Sequence, residues 1–343
     1  MKLFTHALCL VFALSLLTGI NSQQAVSADI AKPGDYPKRP ITVIVCYGKG
    51  GGSDQAVAAL QEPASNILGV KVNKINKPGG GGVNCLPDFL QAPADGYTIL
   101  QHTDGLITKF VKGIHDIHPT KDLTPIMTSN VVPTGLFVKA GDERFYENGK
   151  PSFKKVVAYA KGGQGKLQVS NINAELELVT MSKVEEFFGF SVNQAMFDKP
   201  AQRYGAVIGG KLDLLMEQPG DVMKHVQGGK LAPVLSIWPE RFAVFPDTEA
   251  TGADFGMKWK PLLRVRGLYV KSDTPDEIKK YLEAVFAKAY ESEKHQAFLK
   301  RKSMDIVNSY YNIDGTTSVV DGAIGTYAKI FKEMGESVRD SLK

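Results

Sequence analysis

The stretch with the clearest potential for chemistry lies between a buried strand and a helix near the start of the chain. From Cys46 to Asp54 it has the sequence CYGKGGGSD. Glycines let a backbone turn sharply and approach a ligand closely, and the first turn of a helix offers N–H groups and a partial positive charge. We therefore predict an anion-binding loop formed by Lys49, Gly50, Gly51, Ser53 and Asp54. The alternative is a glycine turn that serves packing alone.

This loop does not match the known phosphate-binding motifs. A P-loop requires a lysine between its last glycine and the serine, but Gly52 and Ser53 are adjacent, and the dinucleotide motif requires a glycine where Ser53 stands. A second glycine run, Pro78 to Gly82, follows the next predicted strand. Because ligands bind at the carboxyl ends of the strands in open α/β sheets, the two runs together favour a ligand site over simple packing.

Other catalytic patterns are weak. His115 and His118 are three residues apart, but their flanks are typical of a loop and no third metal ligand is evident. No Gly-x-Ser-x-Gly motif is present. We therefore predict no catalytic residue, no metal and no cofactor.

The elements around the loop alternate between strand and helix. Apolar, β-branched Ile41 to Cys46 predicts a buried strand, and helical spacing follows as far as Gly69. The strand–turn–helix order repeats, and a second set of such elements follows Leu136, which predicts an α/β protein with parallel sheets. Thr274 and Pro275 predict the N-cap and first residue of a late helix.

Composition narrows the class of protein. Of 343 residues, 43% are hydrophobic and 22% charged, which excludes a disordered chain. The net charge of +5 is not concentrated in any Lys/Arg block, so we expect no nucleic-acid partner.

Residues 1–28 have the pattern of a secretory signal peptide. Lys2 precedes a 14-residue apolar run, Ala7 to Ile20, and small residues end at Ala28. That run is shorter than the roughly 18–20 residues of a membrane span, although an uncleaved anchor is the alternative. We predict export to the periplasm and cleavage near Ala28. Cys46 and Cys85 then remain, either bridged in that oxidising compartment or buried as two small apolar side chains.

A series of short motifs, in order along the mature chain, resembles the substrate-binding proteins of tripartite tricarboxylate transporters, the Bug family. Besides the glycine loop, the motifs are YPKRPITVIV from Tyr36, NKPGGGG from Asn76, ADGYTIL from Ala94, DLTPI from Asp122, GGKLDLL from Gly209 and HVQGGKL from His225.

The resemblance implies a two-lobed periplasmic-binding-protein (flytrap) fold of the α/β class. Each lobe would be a mostly parallel sheet flanked by helices, with a cleft between the lobes. We expect residues 29–136 and 263–343 to form lobe 1, and residues 137–262 to form lobe 2.

The resemblance also implies that one loop from each lobe holds a ligand carboxylate. The first loop matches Tyr47, Gly50 and Gly51, whereas Gly48 and Lys49 replace usual prolines. The second loop has lost its glycines, and a usual tyrosine further on is Phe197. We expect the remaining ligand contacts to come from Thr103, Ser170, Asn171, Asn173, Phe197, Glu217, Gln218, Arg264 and Arg266.

Arg264 and Arg266 favour an acidic ligand because guanidinium groups bind carboxylates in a bidentate manner, although a solvated strand end is the alternative. We expect a monomer that binds a small organic di-, tri- or aromatic carboxylate and delivers it to membrane transporter subunits. A ligand-sensing module for a signalling partner and a secreted α/β enzyme are the alternatives. The first would share the cleft, and the second would require turnover.

Overall fold

The structure is a computed structural model that describes residues 31–342, apart from positions 164, 173, 260, 303 and 306. The predicted signal peptide and the candidate ligand residue Asn173 therefore lie outside the described residues. Within the described part, no helix has both the length and the apolar character needed to cross a membrane.

Twelve strands are described, two of them forming a small hairpin. They are β1 (Ile41–Val45), β2 (Val72–Asn76), β3 (Thr98–Thr103), β4 (Leu123–Val132), β5 (Gly135–Lys139), β6 (Tyr146–Glu147), β7 (Lys150–Pro151), β8 (Leu167–Asn171), β9 (Val192–Met196), β10 (Leu214–Glu217), β11 (Leu231–Ser236) and β12 (Arg264–Lys271).

Ten α-helices are described between and after these strands. They are α1 (Gly52–Leu68), α2 (Leu86–Gln91), α3 (Gly105–Val111), α4 (Phe153–Lys161), α5 (Glu175–Phe188), α6 (Pro200–Ile208), α7 (Pro219–Gln227), α8 (Asp276–Glu291), α9 (Glu293–Arg301) and α10 (Ile313–Glu333).

The strands form two five-stranded sheets, ordered β2-β1-β3-β12-β4 and β11-β5-β10-β8-β9. In each sheet four strands run in the same direction, and one, β12 or β5, is antiparallel to its neighbours. These two are the strands that follow a crossing of the chain from the other sheet. The predicted two-lobed α/β fold with mostly parallel sheets is therefore confirmed.

The chain crosses between the sheets after β4 and again after β11. The first crossing lies at residues 133–134 and the second between residues 237 and 263, whereas the sequence placed the boundaries at 137 and 262. The exact lobe boundaries remain a prediction.

Two predicted helix starts require correction. Helix α8 begins at Asp276 with Pro275 as its N-cap, one residue later than the Thr274 cap predicted from sequence. The sequence also predicts a closing helix over Ile324 to Met334, but that helix begins at Ile313, where the Asn312 side chain accepts from the N–H of Gly315. Its first turns contain glycine, threonine and serine, which gave no apolar periodicity in the sequence.

A disulfide joins Cys46, directly after β1, to Cys85, directly before α2. Their Cα atoms are 5.2 Å apart, and both side chains are fully buried. Of the two alternatives left open by the sequence, the structure has the bridge. It fastens the glycine loop that begins at Tyr47 to the turn that ends at Gly82.

We expect loss of this disulfide to lower the free energy of unfolding by about 2–4 kcal/mol, because the bridge closes a loop of 39 residues in the unfolded chain. Urea unfolding of the Cys46→Ser/Cys85→Ser variant, compared with the parent protein with and without reductant, measures this effect. Reductant should destabilise the parent only. If reductant destabilises the variant as much as the parent, the loss of stability has a cause other than the disulfide.

Candidate functional site

A small, partly open cavity lies between the two sheets, next to the glycine loop. Its enclosed space has room for about one or two water molecules. Eight of its lining residues were predicted from sequence, namely Tyr47, Gly51, Ser53, Thr103, Glu217, Gln218, Arg264 and Arg266. Seven were missed, namely Gly48, Gly52, Ile172, Asp198, Pro200, Arg203 and Asp221.

Six predicted ligand residues do not line this cavity. Lys49 and Gly50 are exposed, and Asp54 pairs with Lys74 at 2.6 Å. The remaining three make contacts within the second lobe: the Ser170 hydroxyl donates to the carbonyl of Arg203, the Asn171 amide donates to Gln194, and the carbonyl of Phe197 accepts from Arg203.

The glycine loop lies directly against the second lobe. Helix α1 begins at Gly52 with Gly51 as its N-cap. A Cβ atom on Gly48 or Gly51 would lie 2.9 Å from the ring of Pro200, the first residue of α6. The small size of these two glycines therefore permits the close approach of the lobes.

Tyr47 is held in the wall of the cavity. Its hydroxyl lies 2.6 Å from Oγ1 of Thr103, and the side chain is buried. Burial raises the pKa of Tyr47 well above its usual value, so the phenol stays neutral and retains its proton at physiological pH.

Arg264 is fully engaged by two carboxylates. Its Nη1 donates to both oxygens of Asp104, at 2.9 and 3.0 Å, and its Nη2 donates to Glu177. All three side chains are at most 2% exposed. Burial raises the pKa of Glu177 to about 7, and the shared guanidinium acts against that rise.

In a second buried pair, Arg203 and Glu217, both carboxylate oxygens accept hydrogen bonds. Nε and Nη2 of Arg203 donate to Oε2 of Glu217 at 3.1 and 2.5 Å, and the hydroxyl of Tyr204 donates to the same oxygen at 3.0 Å. The N–H of Gln218 donates to the other carboxylate oxygen. The signal for this pair was a glutamate at the end of an apolar strand, which requires a buried cation.

Arg266 is only partly engaged. Its Nη2 donates to Oε1 of Gln218 and to Oδ2 of Asp221, both at 2.8 Å. Its Nε and Nη1 have no partner among the described residues, and neither has Oδ1 of Asp221. Both side chains line the cavity and are almost completely buried.

The contacts across the cleft have a consistent polarity. In addition to Arg264 and Arg266, the first lobe contributes Lys109, whose Nζ donates to Glu175 at 2.8 Å, and Lys302, whose Nζ donates to the carbonyl of Gly220 at 2.7 Å. All four donors are cations of the first lobe, and each has an acceptor on helix α5 or α7 of the second lobe, although Arg264 also pairs with Asp104 of its own lobe. The lobes are therefore joined by contacts in which a cation of the first lobe donates to an acceptor of the second.

Comparison with known proteins adds independent information. Residues 57–335 match the family described as tripartite tricarboxylate transporter family receptor. A relative from Cupriavidus necator, the UPF0065 protein in the gbd 5' region, is 28% identical over 282 residues, covering 80% of this chain and 82% of that protein.

Solved structures share the fold. The periplasmic binding protein BugD matches with a TM-score of 0.76 at 22% identity, covering 88% of this chain and 99% of BugD. Rpa4515 of R. palustris, solved with adipate, matches with a TM-score of 0.77 at 17% identity, covering 88% and 99% of the two chains. Since the family match extends over most of the sequence, the chain belongs to the tripartite tricarboxylate transporter receptor family.

Proposed function

We propose that this receptor captures a small organic carboxylate in the cavity between its lobes and delivers it to the membrane subunits of a tripartite tricarboxylate-type transporter. The observation that carries the proposal is the buried guanidinium of Arg266, which lines the cavity and has two nitrogens without a partner in the described part of the chain. A guanidinium with free N–H groups is a strong donor to a carboxylate.

The start of α1 adds to this attraction. Gly52 and Ser53 line the cavity and lie in the first turn, where the N–H groups precede the first intrahelical bond, from Gln55 to Gly51. A carboxylate at this position would meet both the helix N-terminus and Arg266. Because Ser53 and Arg266 are almost completely buried, each of these hydrogen bonds is stronger than it would be in water.

The cleft must open to admit the ligand, since the enclosed space holds only one or two waters. Opening would separate the ion pairs of Arg266 with Asp221 and of Lys109 with Glu175, because each joins the two lobes. The carboxylate would bind to the exposed Arg266 and be enclosed when the lobes close again.

The family and its structural relatives are binding proteins of the periplasm. For this chain we propose binding without turnover, as a monomer, after cleavage of the signal peptide near Ala28. The candidate ligands are di-, tri- and aromatic carboxylates. The adipate bound to Rpa4515, a linear dicarboxylate, makes dicarboxylates the first class to test.

Thermal unfolding of the mature protein with a panel of mono-, di-, tri- and aromatic carboxylates tests the proposal. A ligand at 100 times its Kd should stabilise the protein by about 2.7 kcal/mol. The matched control for each acid is its amide, which has the same skeleton without the charge. Mass spectrometry of the denatured protein before the assay detects ligand retained from expression.

A binding receptor should give a shift with at least one acid, no shift with its amide, and unchanged ligand afterwards. Conversion of the acid to a product would favour a secreted enzyme. If no acid shifts the thermal unfolding of protein that is free of retained ligand, carboxylate binding is contradicted.

A further inference from the structure

The unpartnered atoms in the cavity belong to groups of opposite charge. Nε and Nη1 of Arg266 are donors without acceptors among the described residues, whereas Oδ1 of Asp221 is an acceptor without a donor there. The two side chains contact each other through Nη2 and Oδ2 at 2.8 Å. Arg266 is 2% exposed and Asp221 is 6% exposed, so bulk water does not readily satisfy these atoms.

The other charged groups that line the cavity have less unused hydrogen-bonding capacity. Glu217 accepts from Arg203 and Tyr204 through one oxygen and from the N–H of Gln218 through the other. Arg264 is held by Asp104 and Glu177. Oδ1 of Asp198 accepts from the N–H of Gly81 at 3.2 Å. Among the described charged residues that line the cavity, the buried atoms without a hydrogen-bond partner therefore all belong to Arg266 and Asp221.

A simple carboxylate would satisfy only half of this pair. It could accept from Arg266, but it would place a second negative group beside Asp221, whose oxygen would still lack a donor. An unpaired buried acceptor disfavours binding, and a like charge nearby disfavours it further. A ligand with a hydroxyl or ammonium group next to its carboxylate would satisfy both partners.

We infer that Asp221 is a specificity-determining residue that selects carboxylates with an adjacent hydrogen-bond donor, while Arg266 binds the carboxylate itself. This inference rests on the proposed function and specifies its ligand class. The ligand donor would bond to Oδ1 of Asp221, and the Oδ2 contact with Arg266 would remain. Hydroxy and amino acids share this chemistry, and a neutral or a charged donor distinguishes them.

Three four-carbon dicarboxylates provide a matched test, because succinate, malate and aspartate carry hydrogen, hydroxyl and ammonium at the same carbon. Isothermal titration of the mature protein with each should give at least tenfold tighter binding of malate or aspartate than of succinate. If malate alone is favoured, the donor is neutral, and if aspartate alone is favoured, it is charged.

Two variants distinguish a direct contact between Asp221 and the ligand donor from an effect of the net charge in the cavity. Asp221→Asn should reduce the preference over succinate at least fivefold, because its amide no longer offers a full negative charge to the ligand donor. Asp198→Asn removes a carboxylate from the same cavity without touching Arg266. Equal loss of the preference in both variants would assign it to net charge and overturn the role of Asp221. Circular dichroism verifies that both variants are folded.

The outcomes distinguish this inference from the proposed function. Equal or tighter binding of succinate overturns the inference and leaves carboxylate capture standing. If none of the three acids binds, the wider panel of carboxylates is the test. Binding only of acids that lack a donor next to the carboxylate overturns the inference. Binding only of acids that have such a donor supports it. A panel without any hit overturns both.

Discussion

Replacing Gly52 with alanine should weaken carboxylate binding by about 100-fold, equivalent to about 2.7 kcal/mol. A Cβ atom at this position would lie 1.9 Å from Nη2 of Arg266 and 2.0 Å from Oδ2 of Asp221. Both atoms are the ends of buried side chains that bind each other, so neither moves away without breaking their contact. Because the two side chains belong to opposite lobes, separation of the lobes relieves the clash, and the variant should favour an open cleft.

The substitution is informative because it should not harm the fold of either lobe. Gly52 is the first residue of α1, and alanine favours a helix over glycine by about 1 kcal/mol in helix interiors. The matched control is Gly322→Ala in α10, where a Cβ atom would meet nothing within 4 Å. Titration with the acid that gives the largest thermal shift measures affinity, and small-angle X-ray scattering measures the opening.

We expect Gly52→Ala to increase the radius of gyration of the ligand-free protein and Gly322→Ala to leave it unchanged. Wild-type affinity in a folded Gly52→Ala variant would mean that the ligand does not require the closed cavity. The assignment of the binding site to the cavity beside α1 would then be wrong.

Local patterns were sufficient to predict most of the fold. The apolar run of β1 is buried between two parallel neighbours, as its β-branched sequence predicts. Strand β4, in contrast, gave no clear signal, because its sequence LTPIMTSNVV mixes a proline with four polar residues. Three of these polar side chains, Thr128, Ser129 and Asn130, are buried by tertiary contacts, such as that of Thr128 with the carbonyl of Ser309, which no local pattern predicts.

The candidate site was predicted in outline but not in its charge balance. The glycine loop and the pair of arginines on β12 could be identified from sequence, and both line the cavity. Their partners could not, because Glu177 and Asp221 look like ordinary acidic residues in the first turn of a helix. Only the closed arrangement of the lobes shows that they neutralise Arg264 and Arg266. The cleft is therefore less basic than its sequence suggests.

The second large effect should come from Arg264→Met, which we expect to lower the free energy of unfolding by about 3–5 kcal/mol at pH 8. Methionine preserves much of the side-chain volume but leaves Asp104 and Glu177 buried without their shared cation. Such unpaired charges cost far more than the original pair contributes, because no solvent replaces the lost partner.

The loss should be smaller at low pH. In the parent protein, burial raises the pKa of Glu177 to about 7, above its usual 4.5, and burial also raises the pKa of Asp104. Between pH 4.5 and about pH 7, Glu177 holds a proton in the folded state that it has released in the unfolded chain. The contribution of Glu177 to stability therefore falls as the pH rises through this range. Removal of Arg264 raises both pKa values further. We therefore expect the deficit of the variant to shrink by about 2 kcal/mol between pH 8 and pH 5.

Comparison of variant and parent at each pH is necessary, because other groups titrate in the opposite sense. Burial lowers the pKa of His102 to about 4, so its contribution to stability is lost as the pH falls towards that value. Taking the difference between the two proteins cancels most of that contribution, because its main cause is the burial of His102 and Arg264 has only a minor influence. Urea unfolding at pH 5, 6.5 and 8 gives the required free energies.

Arg39→Met is the matched control, since Arg39 pairs with Asp95 at 2.9 Å but is 57% exposed. An exposed pair of this kind contributes about 1 kcal/mol or less, with little dependence on pH above 5. A large, pH-dependent loss in Arg264→Met beside a small, flat loss in Arg39→Met would establish that the ion cluster beside the cleft is a buried one. A deficit that stays constant from pH 5 to pH 8 would mean that Asp104 and Glu177 reach solvent once Arg264 is gone, so that the lobes open at this point.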